Sequence, residues 1–229
     1  MIDAYAAAMT PAASRRVAGA RRAGSLRARA ERIGILGGTF DPPHCGHVTA
    51  ARAAHRVLGL DRLLLVVANE PWQKVPHRQV TPAEDRFAMV QAVAASIPEM
   101  EASRIEIDRG GPSYTADTVD TLLADADASR HVRPDLYLVV GSDLVEALPT
   151  WKRVEDLRRR VTLAVVSRPH TEHPAMPEGW TTALVEADTV AVSSSEVRDR
   201  LARGLPVDGL VPPEVIRCIH LRGLYAVPR

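Results

Sequence analysis

The stretch Ile33-Gly34-Ile35-Leu36-Gly37-Gly38-Thr39-Phe40-Asp41-Pro42-Pro43-His44-Cys45-Gly46-His47 runs from apolar residues through a glycine turn to two histidines three positions apart. A helical pattern begins directly after it, with Val48, Ala51, Ala54 and Leu58 on one stripe. Strand, glycine turn and helix in this order aim backbone N–H groups and a helix N-terminus at one point, a geometry that receives an anion, usually a phosphate. Imidazoles at the same point add groups that donate or accept protons. The segment therefore predicts chemistry on a phosphate-bearing ligand, beyond binding alone.

Further along, residues 63–68, 136–140 and 163–166 are apolar at every position. Strands buried on both faces belong to parallel sheets covered by helices. Helical stripes lie between them. Phe87, Val90, Ala94 and Ile97 mark one, and Thr81-Pro82-Ala83-Glu84 signals its start with a capping Thr, a Pro at the first position and a Glu at the third. Residues 104–107 alternate and are expected to form a strand near a sheet edge, whereas 170–180 is expected to be an exposed loop. The alternation of β and α predicts an α/β fold with a doubly wound, mainly parallel sheet, forming a single domain over residues 32–229. In such sheets ligands bind beyond the carboxyl ends of the strands, where strand order reverses. The segments expected there are 37–47, 69–78, 110–115, 141–143 and 167–169.

Composition sets the outer limits. A chain of 229 residues with 46% hydrophobic and 25% charged residues has the profile of one water-soluble globular domain. Its 29 basic and 28 acidic residues nearly cancel, which argues against a general nucleic-acid or membrane surface. No apolar run reaches the length of a membrane span. Cys45 and Cys218 form no CxxC pair, which argues against a disulfide framework or a structural zinc site and fits a reducing cytoplasm. Neither cysteine has the setting of a nucleophile. Residues 1–31 differ from the rest: they are rich in alanine and arginine, with Asp3 and Glu31 as their acids. They are expected to be a disordered extension or a start assigned too early, with Met9 as the alternative. An organelle presequence or a tail touching nucleic acid has the same composition.

The glycine turn lacks the spacing of a GxGxxG fingerprint, and no GxxxxGK[ST] phosphate loop occurs. His44-Cys45-Gly46-His47 after the first strand instead resembles the HxGH tetrad of the nucleotidyltransferase superfamily. With Gly37, Gly38, Thr39, Phe40, Asp41 and Pro42 before it, the segment is similar to that of the bacterial nicotinate-mononucleotide adenylyltransferases. Ser193-Ser194-Ser195-Glu196-Val197-Arg198 resembles the family's closing motif, and Ser193 and Glu196 are also spaced as a capping box. Val75-Pro76-His77-Arg78 is similar to its Pro-Pro-His-Lys/Arg loop, with Val75 in place of a proline. Gly111-Pro112-Ser113-Tyr114-Thr115-Ala116-Asp117-Thr118 and Gly141-Ser142-Asp143 with Trp151-Lys152 match two more of its elements.

The resemblance implies a Rossmann-like nucleotidyltransferase fold and transfer of the adenylyl group of ATP to nicotinate mononucleotide, a step of NAD biosynthesis. It implies His47 at the α-phosphate, His44 at neighbouring phosphate contacts, and Arg198 with the Ser193, Ser194 and Ser195 hydroxyls at the β- and γ-phosphates. Gly37, Gly38, Thr39 and Phe40 would complete the ATP site, with Arg168 near the adenine. For the co-substrate it implies the basic His77 and Arg78, the backbone N–H groups near Tyr114 and Thr115 for the nicotinate carboxylate, Asp143 at a ribose hydroxyl and Trp151 stacked on the pyridine. No metal site built from protein ligands is expected, and Mg²⁺ would ride on ATP. The attacking phosphate oxygen is already ionised, so catalysis rests on positioning and on neutralising charge at the α- and β-phosphates.

The expected partners are ATP and nicotinate mononucleotide, with no nucleic acid and no membrane, and a homo-oligomer is left open. Pantetheine-phosphate adenylyltransferases and cytidylyltransferases share the tetrad but lack the 111–118 and Gly141-to-Trp151 elements. A nucleotide sensor without turnover is the rival from another class, and the intact His44, His47 and Arg198 argue against it.

Overall fold

Along residues 62–67, Leu63, Leu65 and Val67 enter one hydrophobic cluster while Leu64 and Val66 enter another. A strand with both faces apolar needs helices on both sides, and the computed structural model, which describes residues 29–71, 79–129, 132–168, 176–188 and 190–225, shows that arrangement. Among the described residues six strands form one sheet: β1 Arg32–Gly38, β2 Arg62–Val67, β3 Met100–Ser103, β4 Asp135–Gly141, β5 Val161–Ser167 and β6 Thr182–Glu186. Their order is β3-β2-β1-β4-β5-β6, and every pairing is parallel. The helices are α1 Cys45–Leu58, α2 Ala83–Ala95, α3 Ile105–Arg109, α4 Thr115–Ala128, α5 Val154–Arg160, α6 Ser194–Ala202 and α7 Pro213–Arg222, with a 3₁₀ helix at Ser142–Thr150.

Ala51 and Ala54 of α1, Met89 and Val93 of α2, Val197 of α6 and Ile219 of α7 share one cluster with the sheet. Ala116, Val119 and Leu123 of α4 and Leu157 of α5 pack into the cluster on the other face. The chain grows outward from β1 to β2 and β3, then returns to place β4 on the other side of β1. Strand order therefore reverses between β1 and β4, and the cleft opens at their carboxyl ends.

Three local expectations are corrected. Residues 104–107 are not a strand: the edge strand is β3, one step earlier, and α3 follows it. Arg104 pairs with Asp108 at 3.1 Å, an i,i+4 contact that supports a helical turn, and Gly110 (φ 74°) ends it. Helix α2 starts one residue later than the Thr81 signal implies, with Pro82 in the capping position, because the Thr81 carbonyl is engaged by the Arg86 side chain at 2.7 Å. The deep face of α2 is Arg86, Met89, Val90 and Val93, while Phe87 and Ala94 are only partly buried. Strand β6 went unread because an edge strand is half exposed and shows no continuous apolar run.

Candidate active site

Helix α1 starts where the glycine turn ends, and its cap is His44 in an extended conformation. The His44 backbone N–H donates to His47 Nδ1 at 3.2 Å, and the two rings stack with centroids 3.7 Å apart. An accepting Nδ1 places the proton of neutral His47 on Nε2, so the ring presents a donor on its far side. Gly46 permits this packing: a Cβ there would lie 3.1 Å from His44 Nδ1 and 3.4 Å from the Val190 carbonyl. Phe40, at φ 50° and almost fully buried, sets its ring edge-on to His47 with centroids 5.0 Å apart.

The first turn of α1 is already committed in part. The Cys45 N–H donates to the Leu210 carbonyl at 2.8 Å, and the His47 N–H to the His44 carbonyl at 3.0 Å. Fewer backbone N–H groups are therefore left to receive an anion here than the strand-turn-helix pattern alone implies. Burial pushes the Cys45 thiol up, which keeps it from acting as a thiolate.

Helix α6 closes the same end of the cleft. Ser193 caps it, accepting from the Glu196 N–H at 3.1 Å. Ser194 Oγ donates to the Pro42 carbonyl at 2.9 Å, and Arg198 donates from Nη1 to the Asp41 carbonyl at 2.7 Å and from Nη2 to Ser195 Oγ at 2.9 Å. Two segments more than 150 residues apart in sequence thus become one surface. The opposite end is built from the loop before α4 and the 3₁₀ helix. Ser113 fixes that loop to the end of β2: its Oγ accepts from the Asn69 N–H at 2.8 Å, and its N–H donates to the Glu70 carbonyl at 3.0 Å. Gly141 leaves room for the Asp143 carboxylate, which a Cβ at that position would displace. Trp151 packs half-buried against the core, and Lys152 Nζ sits 4.0 Å from the centre of the Tyr114 ring.

These residues line one cleft of about 990 Å³, spacious for two nucleotide-sized ligands end to end. It brings together Gly37, Gly38, Thr39, Phe40, His44, His47, Arg168, Ser193, Ser194, Ser195 and Arg198 with Tyr114, Thr115, Asp143 and Trp151. His77 and Arg78 lie outside the described residues. Among the described residues no group of three or more His, Cys, Asp or Glu side chains is disposed to hold a metal ion, and no helix is long and apolar enough to cross a membrane.

The site also contains residues to which motif reading gives no role. Glu106 and Thr118 line the cleft, with Thr118 Oγ1 donating to Glu106 Oε1 at 2.6 Å. Arg86 is 1% exposed and lies beneath the site, its guanidinium donating to the carbonyls of Thr39 at 2.8 Å, Ala68 at 2.6 Å and Asn69 at 2.9 Å. It thereby ties the ends of β1 and β2 together. The available signal was a charge on a core stripe: Arg86, Met89, Val90 and Val93 fall at i, i+3, i+4 and i+7. Tyr225, near the chain end, donates to Asp41 Oδ1 at 2.8 Å, and nothing local in the sequence marks it.

A parallel sheet with its switch point under an HxGH helix cap and a serine-capped, arginine-bearing second helix defines a nucleotidyltransferase. The cytidylyltransferase-like family model matches residues 35–200. A Saccharopolyspora erythraea protein named "probable nicotinate-nucleotide adenylyltransferase" is 42% identical over 201 residues, covering 86% of this chain and 91% of its own. A Geobacillus kaustophilus protein of the same name is 39% identical over 194 residues, covering 85% of this chain and 86% of its own. The chain belongs to this family of enzymes, the nicotinate-nucleotide adenylyltransferases within the cytidylyltransferase-like group. Its fold is shared with the Plasmodium falciparum nicotinic acid mononucleotide adenylyltransferase complexed with NaAD, at TM-score 0.68 and 18% identity over 85% of this chain and 97% of that one.

Proposed function

We propose that the chain transfers the adenylyl group of ATP to nicotinate mononucleotide, giving nicotinic acid adenine dinucleotide and pyrophosphate for NAD biosynthesis in the cytoplasm. The observation that carries this reading is the two-ended cleft. Histidines, arginine and serine hydroxyls converge at one end, and Tyr114, Thr115 and Trp151 stand at the other.

A phosphate oxygen of the mononucleotide forms a bond to the α-phosphorus, the bond from that phosphorus to the α,β-bridging oxygen breaks, and pyrophosphate leaves with the electron pair. His47 donates from Nε2 to the α-phosphate as charge shifts onto the leaving group, and His44 supports the neighbouring phosphate. Arg198 and the hydroxyls of Ser193, Ser194 and Ser195 hold the β- and γ-phosphates. Gly37, Gly38, Thr39 and Phe40 form the wall against the nucleotide, with Arg168 toward the adenine. The helix start at Tyr114 and Thr115 receives the nicotinate carboxylate, Trp151 stacks on the electron-poor pyridine, and Asp143 accepts from a ribose hydroxyl. His77 and Arg78 belong to the same reading as basic contacts to the mononucleotide.

The phosphate end offers neutral and cationic donors, which fits a divalent ion arriving on ATP; Mg²⁺ there would neutralise charge on the β- and γ-phosphates. The test is pyrophosphate release from Mg-ATP with nicotinate mononucleotide, nicotinamide mononucleotide and phosphopantetheine in parallel. Turnover is expected with the first, well above the second and absent with the third. ATP binding with no release from any of them would overturn the enzyme reading in favour of a sensor.

A further inference from the structure

Helix α7 ends at Arg222, and Gly223 (φ 61°) turns the backbone so that the Leu224 N–H donates to the Ile219 carbonyl at 3.0 Å. Leu224 packs against the core, which fixes the direction of the next residue. Tyr225 follows at φ 62°, a left-handed conformation unfavourable for a residue with a Cβ. From there its phenol reaches Asp41, which is 1% exposed.

Asp41 stands at the centre of the phosphate end. Its carboxylate accepts from Tyr225, its carbonyl accepts from Arg198, and the next carbonyl, Pro42, accepts from Ser194. The residue before it, Phe40, is also left-handed and packs on His47. A turn carrying this much unfavourable backbone holds its shape only when its surroundings over-determine it. Tyr225 is one of those surroundings, and it belongs to the scaffold: it is half-buried against the core and does not line the cleft. Burial, with the Asp41 charge adding to it, holds the phenol well above the usual tyrosine range, so it stays protonated and remains a donor at working pH.

We propose that Tyr225 is a positioning residue for adenylyl transfer: by holding Asp41 it fixes the turn whose carbonyl orients Arg198 and whose Phe40 packs against His47. The proposal rests on the reaction assigned above. It extends the working site to the chain end, well beyond the motifs.

The experiment compares the full chain with Tyr225→Phe and with Ile216→Ala, which weakens the packing of α7 against the core but leaves Leu224 and the phenol in place. In Tyr225→Phe, kcat is expected to fall about tenfold and an inert α,β-methylene analogue of ATP to bind about fivefold more weakly. The KM for nicotinate mononucleotide should stay within about twofold. Ile216→Ala should lose at least as much thermal stability while keeping most of its kcat. Combined with Asp41→Ala, Tyr225→Phe should add little, since the Asp41 bond is the phenol's link to the turn and its other hydrogen bond goes to Thr81, away from Arg198 and His47. Unchanged kcat in Tyr225→Phe, equal losses for both substrates, or independent effects in the double variant would each overturn the proposal. If the wild-type chain turns over none of the co-substrates, the reaction assignment fails, and analogue binding still decides the role of Tyr225.

Discussion

The two ends of the cleft, proposed above to take the phosphates and the pyridine, are held in opposite ways. At the phosphate end, buried or half-buried groups bind backbone carbonyls: Arg198 to Asp41, Ser194 to Pro42, and Arg86 to Thr39, Ala68 and Asn69. At the pyridine end, exposed ion pairs do most of the holding. Lys152 lies 3.6 Å from Asp117, and Arg153 reaches Asp117 at 3.3 Å, Asp120 at 2.6 Å and Asp156 at 2.9 Å, while Arg160 also meets Asp120. Donors fixed in place by such bonds need little reorganisation when charge develops, which suits the end where bonds change. Exposed pairs are weak and screened by salt, which suits an end that must admit one nucleotide and release a larger one.

The sharpest way to break this contrast is His47→Ala. It should lower kcat by on the order of 10²–10⁴ with modest loss of ATP binding, measured by steady-state turnover and by titration. Near-normal turnover would remove His47 from the chemistry. Arg86→Leu should act on the frame instead. It leaves carbonyls of β1, β2 and the α2 approach without their shared donor, and stability should fall by roughly 3 kcal/mol or more in denaturant unfolding. A loss as small as that of a surface substitution would show that the carbonyls find other partners.

Legibility in the sequence followed the same division. The continuous apolar runs at 63–68, 136–140 and 163–166 gave the central strands because such strands are buried on both faces. Edge strands carry a weaker signal: β3 was displaced onto a segment where an Arg104–Asp108 pair makes a helical turn, and β6 left no trace. The HxGH tetrad and serine motif were readable because each is local, a few residues at a helix start. What holds them in place is long-range. Arg86 reaches 47 residues back to Thr39 and Tyr225 reaches 184 residues back to Asp41, and no spacing rule encodes either contact.

At the pyridine end smaller effects are expected, and they should fall on KM. Trp151→Ala should raise the KM for nicotinate mononucleotide about tenfold, the size of one lost aromatic stack, and leave the KM for ATP nearly unchanged. An equal rise for both substrates would place Trp151 in the frame.

Arg153→Ala should have the smallest effect and the one most dependent on conditions. Arg153 carries a left-handed backbone (φ 57°) two residues after Trp151, and its three carboxylate partners hold it there. Removing the guanidinium should raise the KM for nicotinate mononucleotide a few-fold at low salt, since only exposed pairs are lost. The pH dependence can be worked out from the partners. Hydrogen bonds from Arg153 hold Asp120 and Asp156 below the usual carboxylate range. A lowered folded value means the stabilisation is complete above the ordinary carboxylate pKa of about 3.9 and is lost as pH falls through the folded value. Between about pH 6 and 9 the network should therefore contribute no pH dependence, and salt alone should modulate it. Wild-type and Arg153→Ala KM values should differ most at low ionic strength and draw together as salt rises toward about 1 M, where the screening length falls to about 3 Å, the span of these contacts. A gap that persists at high salt would mean that Arg153 holds Trp151 by packing and not by charge, and the contrast between the two ends would narrow to the His47 side alone.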